Sequence, residues 1–181
     1  QIVIKNNSIL AIIPARSGSK GLKDKNIKPL LGKPLIYYTI KAAKKSKYLD
    51  RVILSSDCKK ISSMAKKYLC EVPFVRPKEL SLDNSVGDEV IIHAIKTLKT
   101  KYKIIMVLQP TSPLRTYQDI DLALEQMIKK QRPALVSFSE SEKPIFWNYF
   151  IKKDGNIKPV LSERLKKTNR QHYKKTYTPN G

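Results

Sequence analysis

The chain has 181 residues, an apolar fraction of 41% and a net charge of +21, values that fit one basic globular domain. No apolar run approaches the ~18 residues needed to cross a bilayer, which excludes a recognisable membrane span. The chain has two cysteines and no visible secretory leader, so a disulfide framework is excluded and we expect reduced thiols in the cytoplasm.

The first predicted element is a buried strand over residues 8–14, built on the apolar run Ile9–Ile13. The loop that follows, as far as Asn26, holds two glycines, two serines and four cations. Glycine permits close approach of the backbone, successive N–H groups form an anion-binding concavity, and cations attract phosphate oxygens. The loop therefore predicts a polyphosphate site, although it matches neither G-x-x-x-x-G-K-[ST] nor G-x-G-x-x-G. An ordinary solvated connection between strand and helix is the plainer alternative.

Strand and helix patterns then alternate as far as residue 138. Further strands are predicted at residues 51–56, 72–75, 104–108 and 134–138, and helices at residues 34–43, 58–69, 85–98 and 119–128. The run over residues 104–108 is apolar without alternation, as expected of a strand covered on both faces. This order predicts an α/β fold in which helices cover both faces of a parallel sheet.

The pattern changes beyond residue 138. Extended runs over residues 145–151 and 157–161 flank Asp154-Gly155, which predicts a β-hairpin. We expect a single domain over residues 1–181, in which residues 144–176 form a small excursion from the sheet that contacts another subunit.

Polar and basic side chains follow the carboxyl ends of the predicted strands, where open parallel sheets bind ligands. In strand order they are Arg16, Ser17, Lys20, Lys25 and Asn26; Asp57; Arg76 and Asp83; and Gln109, Thr111, Ser112 and Arg115. This set is suited to positioning phosphates more than to nucleophilic catalysis. Two residues have plainer interpretations: Asp57 as a helix N-cap, which we favour over a metal ligand, and His93 as a structural residue on an apolar helix.

Five segments of the chain resemble the acylneuraminate (sialic acid type) cytidylyltransferases, which join CTP to a nine-carbon acidic sugar. In order, these segments are I-I-P-A-R-S-G-S-K-G with K-x-K-N-I, L-x-G-K-P-L-I-x-Y-T-I, R-P-x-E-L-x-x-D, L-Q-P-T-S-P-L-R, and N-R-Q followed by Y-x-P-N-G. The resemblance covers nearly the whole chain. It implies a three-layer α/β/α sandwich of the nucleotide-diphospho-sugar transferase type with a mainly parallel sheet, a magnesium cofactor and a homodimer.

The resemblance also implies roles for individual residues. The implied catalytic cations are Arg16, Lys20 and Lys25. The implied nucleotide contacts are Ala15, Arg16, Ser17, Gly18, Lys25, Asn26, Arg76 and Asp83. The implied sugar contacts are Gln109, Thr111, Ser112 and Arg170, of which Arg170 meets the sugar carboxylate. In the implied reaction the anomeric hydroxyl attacks the α-phosphorus of CTP in line, and pyrophosphate leaves.

Two positions depart from the pattern of the family. Thr178 stands where relatives often have arginine, which favours a modified nonulosonate of the legionaminic or pseudaminic type. Gly87 stands where they often have serine or threonine near the nucleotide. The paired aspartates that hold magnesium in the family follow the Pro-Asn-Gly motif. The resemblance therefore implies that the full domain continues past this chain and that its metal ligands lie beyond Gly181. The Kdo cytidylyltransferases are the nearest alternative, although they carry an acidic motif at Gln109–Thr111.

The positive charge leaves open a function of a different class. Lysines are scattered along the chain, without a block of five or six like charges and without interleaved aromatic residues. This distribution favours a solvated surface over a nucleic-acid-binding domain, and steep salt dependence of nucleic-acid affinity would distinguish the two. A relative that binds nucleotide or dimerises without catalysis is a third alternative.

Overall fold

The computed structural model of the chain describes residues 8–18, 21–82, 87–143, 145–161 and 175–180. Lys20, Asp83 and Arg170, which the sequence analysis assigns to the site, lie outside the described residues. The chain divides into two compact units, one reaching as far as Leu135 and the other spanning Val136–Asn180.

Strands and helices alternate through the first unit and give way to short strands in the second. The strands are β1 (Ile9–Pro14), β2 (Pro29–Leu30), β3 (Lys33–Pro34), β4 (Arg51–Ser55), β5 (Ile104–Val107), β6 (Phe138–Glu140), β7 (Tyr149–Ile151), β8 (Ile157–Pro159) and β9 (Tyr177–Pro179). The helices are α1 (Leu35–Lys45), α2 (Lys59–Lys67), α3 (Gly87–Leu98) and α4 (Tyr117–Lys129). Among the described residues, no helix is both long and apolar enough to cross a membrane.

The first unit is organised around β1, which lies between β4 and β5 in a parallel sheet. Leu10 of β1 is in register with Arg51 of β4 and with Ile105 of β5. All five residues of Ile9–Ile13 are fully buried, because helices cover both faces of the strand. The predicted α/β architecture with a parallel sheet is confirmed.

Alternate residues of β1 enter two separate core clusters, as the pleat of a strand requires. Ile9, Ala11 and Ile13 belong to the larger cluster, which is built with side chains of α1, α2 and α4. Leu10 and Ile12 belong to a smaller cluster with Ile53 and Ala94, the latter from α3. The central strand is thus packed on both faces, which fixes the position at which the following loop begins.

Two of the predicted strands are wrong. Residues 72–75 form no strand, since Pro73 has no N–H to donate and Val75 is 69% exposed. The preceding Glu71 forms an isolated parallel bridge with Ile53, and Val72 and Phe74 pack against the two core clusters. Residues 134–137 form no strand. The strand in that region is β6, which begins at Phe138 and pairs antiparallel with β9 in the second unit.

The predicted hairpin is confirmed in the second unit. β7 and β8 pair antiparallel, and the turn between them is closed by the Asn156 N–H, which donates to Asp154 Oδ1 at 3.0 Å. Gly155 has φ +83°, a conformation that glycine adopts without strain. The apolar side chains of both strands are exposed, for example Phe150 at 60% and Ile151 at 79%. That this unit contacts another subunit stays a prediction.

Candidate active site

A cleft of about 640 Å³ lies at the carboxyl ends of β1 and β5, within the range of about 300–1,000 Å³ typical of small-molecule sites. Its polar lining consists of Arg16, Lys25, Asn26, Arg76, Gln109 and Thr111. The remaining lining residues are Pro14, Gly21, Leu80, Leu82, Gly87, Val90 and Pro110. The described lining therefore carries three cations and no carboxylate, a composition suited to an anionic ligand.

Six of the predicted site residues thus meet in one cleft, and others stand apart from it. Ser17 and Gly18 are in the same loop but are not part of the described lining. Ala15 is 1% exposed within the larger core cluster, and its N–H donates to the Ser55 carbonyl at 3.0 Å. The Ser112 carbonyl accepts the Arg115 N–H at 3.2 Å, within its own loop. The chemical roles of all these residues stay predictions.

Asn26 holds the two ends of the first loop together. Its side chain is buried, and Nδ2 donates to the Arg16 carbonyl at 3.1 Å. The residue before Lys25, Asp24, has φ +56°, which turns the chain into the short 3-10 helix Lys25–Ile27. The Asn26 amide therefore sets the position of Arg16 relative to Lys25, two of the three described cations of the cleft.

Asp57, directly after β4, binds the first loop and does not cap a helix. Its carboxylate accepts the Ser17 N–H at 3.0 Å and the Ser17 hydroxyl at 2.5 Å. The interpretation of Asp57 as a helix N-cap is wrong, because α2 begins at Lys59 and its N-cap is Cys58, whose N–H donates to Ser56 Oγ at 3.2 Å. Burial raises the pKa of the Asp57 carboxyl, but hydrogen bonds from Ser17 and the charge of Arg76 outweigh it, leaving this pKa below its ordinary value.

Arg76 forms part of the floor of the cleft, with 3% of its side chain exposed. Its Nη2 lies 3.5 Å from Asp57 Oδ1, and its Nε donates to Ser81 Oγ at 3.0 Å. The Ser81 carbonyl accepts Nη1 of Arg16 at 3.2 Å, so Ser81 ties both guanidinium groups together. Burial lowers the pKa of Arg76, Asp57 opposes this, and the charge of Arg16 lowers it further. Two cations are thus held close enough to repel each other, a cost that an anionic ligand relieves.

The side chain of Arg115 stabilises the loop that follows β5. Its Nη2 donates to the Gln109 carbonyl at 3.0 Å, and the Thr111 hydroxyl donates to Gln109 Oε1 at 3.3 Å. Burial lowers the pKa of Arg115, whereas the charge of Asp119 raises it. Asp119 and Thr116 form a capping box that starts α4, so the loop is anchored to a regular helix.

Sequence reasoning missed the apolar wall of the cleft. Leu80, Leu82 and Val90 line it, and the available signal was a pair of leucines two positions apart within a predicted loop. It also missed Ser81, for which the sequence offers no signal. His93 was interpreted as a structural residue, and its ring packs edge-on against Phe74 with 5.2 Å between the centroids.

The sequence comparisons agree on one family. Residues 10–177 match the profile of the family described as cytidylyltransferase. The chain is 37% identical over 171 residues to a pseudaminic acid cytidylyltransferase of Campylobacter jejuni serotype O:2, an alignment that covers 93% of this chain and 73% of the relative. It is 38% identical over 165 residues to the CMP-N,N'-diacetyllegionaminic acid synthase of Legionella pneumophila, covering 87% and 69%.

A third relative shares only part of its length with this chain. The N-acylneuraminate cytidylyltransferase of Escherichia coli O18:K1:H7 is 41% identical over 138 residues, which is 75% of this chain and 32% of the relative. The chain thus spans about a third of that protein, and about seven tenths of the Campylobacter and Legionella proteins.

Solved structures at low identity support the fold. A 4-diphosphocytidyl-2C-methyl-D-erythritol synthase from Anaerococcus prevotii matches with a TM-score of 0.64 at 16% identity, covering 98% of this chain and 69% of that one. A CMP-2-keto-3-deoxy-manno-octonic acid synthetase, solved in complex with CTP, matches with a TM-score of 0.59 at 22% identity, covering 71% and 50%. The sequence profile, the relatives and the fold agree, and the chain belongs to the cytidylyltransferase family.

Proposed function

We propose that this protein transfers the cytidylyl group of CTP to the anomeric hydroxyl of a nonulosonic, sialic-acid-like sugar, releasing pyrophosphate. The observation that carries the proposal is the cleft, in which Arg16, Lys25 and Arg76 meet Gln109 and Thr111 at the carboxyl end of the sheet. Three relatives are named for pseudaminic, legionaminic and N-acylneuraminic substrates, and this agreement supports the same class of sugar here.

The proposed chemistry depends on position and charge. The sugar oxygen attacks the α-phosphorus in line, the bond from phosphorus to the pyrophosphate oxygen breaks, and the hydroxyl proton leaves to solvent. Arg16 and Lys25 stabilise the charge that develops on the phosphate oxygens. The apolar wall formed by Leu80, Leu82 and Val90 packs against the cytosine ring. We assign no general base.

The sugar is proposed to lie at the β5 side of the cleft. Gln109 is exposed at the end of that strand, with its backbone held by Arg115 and its amide oxygen accepting from Thr111. Gln109 and Thr111 can therefore offer fixed hydrogen bonds to sugar hydroxyl groups. Arg170 is proposed to bind the sugar carboxylate through a bidentate pair.

Magnesium is part of the proposal, although the described residues do not fit it. Over the ranges that the structure covers, no group of three or more His, Cys, Asp or Glu side chains could hold a metal. Asp57, the acid at the end of β4, is already bound to Ser17 and Arg76. We therefore route no step through a metal. Pyrophosphate release measured with magnesium, and again with excess EDTA, tests the requirement.

A homodimer formed through the second unit is a separate part of the proposal. Phe150 and Ile151 carry exposed apolar side chains on β7, and such surfaces often mark interfaces. Phe150→Ser should shift the mass measured by light scattering toward the monomer, whereas Leu122→Ser, at an exposed apolar position of the first unit, should not. Equal masses for the two variants would contradict the proposal. We expect the enzyme to act in the cytoplasm, where CTP is made.

A substrate panel tests the proposed activity. Pyrophosphate release is measured with CTP and, in turn, pseudaminic, legionaminic, N-acetylneuraminic and Kdo acids, and then with ATP or GTP in place of CTP. We expect turnover with CTP and at least one nonulosonic acid, and loss of about 100-fold or more of that activity in Lys25→Ala. Turnover with Kdo alone, or unchanged turnover in Lys25→Ala, would contradict the proposal. Salt-sensitive binding to duplex DNA without any turnover would favour the nucleic-acid-binding alternative.

A further inference from the structure

Three separate segments meet at the carboxyl end of β4. The Ala15 N–H donates to the Ser55 carbonyl at 3.0 Å, and the Arg76 N–H donates to the Ser56 carbonyl at 2.9 Å. The first bond continues the pairing of β1 with β4 past the end of β1, and the second joins the Arg76 loop to the residue that follows β4. Asp57 follows at this junction, with the first loop and the Arg76 loop both joined to the segment from which it projects.

The Asp57 carboxylate uses both of its oxygens at the junction. Oδ1 accepts the Ser17 N–H and lies 3.5 Å from Nη2 of Arg76, and Oδ2 accepts the Ser17 hydroxyl. Only 9% of the Asp57 side chain and 3% of the Arg76 side chain are exposed. A charged acceptor buried against fixed donors is a strong positional constraint, because moving either partner leaves a charge without compensation.

The partners of Asp57 adjoin the residues proposed to bind phosphate. Ser17 directly follows Arg16, whose carbonyl is held by Asn26, and Arg76 is itself part of the cleft floor. The Arg16 carbonyl and the Ser17 N–H belong to one peptide group, so Asn26 and Asp57 together fix the orientation of that group. The described contacts of Asp57 are with the loop and Arg76, so Asp57 acts on a ligand through these groups.

We propose that Asp57 is a positioning residue, which fixes the backbone at Ser17 and the guanidinium group of Arg76 so that the triphosphate of CTP meets a preformed site. The inference rests on the proposed function, since it concerns the same cleft. It gives Asp57 a role in the cleft in place of the predicted helix cap, which the structure contradicts.

Asp50 provides a matched control at the opposite end of the same strands. Its carboxylate accepts the Ile9 N–H at 2.7 Å, and its own N–H donates to the Ile9 carbonyl at 3.1 Å. Asp50 and Asp57 thus both bind a backbone N–H of a segment joined to β1, but only Asp57 adjoins the cleft. Asp50→Ala and Asp57→Ala each remove a carboxylate that accepts a backbone N–H, the first at an exposed residue and the second at a nearly buried one.

The experiment compares Asp57→Ala, Asp57→Asn and Asp50→Ala with the unaltered protein. Hydrogen exchange of the Ser17 amide is followed by NMR, and KM is measured separately for CTP and for the sugar. In Asp57→Ala we expect exchange at Ser17 to accelerate at least about tenfold and KM for CTP to rise about 10- to 100-fold. We expect KM for the sugar to stay within about threefold. Asp57→Asn retains an acceptor for the Ser17 N–H, so it should restore slow exchange and part of the affinity.

Several results would overturn the inference. Unchanged exchange at Ser17 in a folded Asp57→Ala protein would show that the carboxylate does not hold the loop. Equal rises in both KM values, or the same rise in Asp50→Ala, would indicate a general loss of structure. In each case an active unaltered protein would leave the proposed function intact. If the unaltered protein neither binds CTP nor releases pyrophosphate from it, the proposed function is wrong and this inference is wrong with it.

Discussion

The two ends of the parallel sheet use charged residues in different ways. At the amino end, Arg51 binds both carboxylate oxygens of Glu71 and donates to the Tyr102 hydroxyl at 3.1 Å. At the carboxyl end, Arg16, Lys25 and Arg76 line one cleft whose described residues include no carboxylate. The carboxyl end also holds an ion pair, between Arg76 and Asp57, so its described cleft lining gathers three cations near one carboxylate.

The two ends of the sheet show the difference between charges that stabilise the fold and charges that are suited to bind a ligand. A fold is stabilised when charges are paired, and repulsion between neighbouring cations opposes folding. The Arg51–Glu71 pair follows this rule. At the carboxyl end, where open parallel sheets bind ligands, Arg76 faces both the charge of Asp57 and the like charge of Arg16. An excess of cations around one carboxylate is suited to an anionic ligand.

Loss of an arginine from the cleft should have the largest effect. Arg16→Ala removes a cation proposed to stabilise the reacting phosphate, so kcat/KM should fall about 100- to 1,000-fold. The free energy of unfolding should change little, because the backbone at this residue is held independently by Asn26. Pyrophosphate release and urea denaturation measure the two quantities. A large loss of stability with little loss of kcat/KM would show that Arg16 stabilises the fold and does not act on the phosphate.

Reactivity of the two thiols should differ at least about tenfold. Cys70, whose Sγ contacts the Val52 carbonyl at 3.9 Å near the amino end, is buried, and this burial raises its pKa to about 12. Cys58, at the carboxyl end, is partly exposed. Iodoacetamide should therefore label Cys58 first at pH 8, because the thiolate is the reactive form. Mass spectrometry of the native protein measures both rates, which should become similar in denaturant.

Loss of the arginine at the amino end should affect stability alone. Arg51→Ala should lower the free energy of unfolding by about 0.5–1 kcal/mol, the usual value for a partly exposed pair, and leave kcat/KM unchanged. Hydrogen bonding to Arg51 holds the pKa of Glu71 below its ordinary value of 4.5. This contribution is complete above pH 4.5 and is lost as the pH falls through the lower folded-state value. Denaturant titrations at pH 7 and below pH 4.5 should show the difference between the proteins shrinking on acidification.

Addition of a hydroxyl to the cleft should have the smallest effect. A Cβ placed on Gly87 would meet no atom within 4 Å among those described, so Gly87→Ser should fold normally. If the added serine donates to the nucleotide, KM for CTP should fall by up to about threefold. Steady-state kinetics with Gly87→Ala as the control separates the hydroxyl from the methylene. A raised KM in both variants would mean that this part of the cleft is already filled by the ligand.

Much of the fold could be predicted because its signals are local. The run Ile9–Ile13 predicts a buried strand, and each confirmed helix has apolar residues at helical spacing. Residues 72–75 and 134–138 have equally apolar letters, yet only the last of these, Phe138, belongs to a strand. A strand also needs a free edge to pair with, and sequence patterns do not reveal which edges are available.

The site shows the same limit. Cleft residues could be predicted because parallel strands bring their carboxyl ends together, whichever helices connect them. The contact between Ser17 and Asp57 joins residues 40 positions apart, and a cap next to a helix was the simpler local interpretation. Arg115 belongs to a recognised motif, but its action on the Gln109 carbonyl depends on the folded shape of the loop.

The central place of β1 has a consequence for synthesis of the protein. Its two neighbours, β4 and β5, end at Ser55 and Val107, so half of the hydrogen-bonding partners of the first strand are made long after it leaves the ribosome. Until then an apolar segment with an open edge is exposed on the nascent chain, where such segments tend to aggregate. Chaperone binding during translation should therefore concentrate on the first strand and end once β5 has emerged.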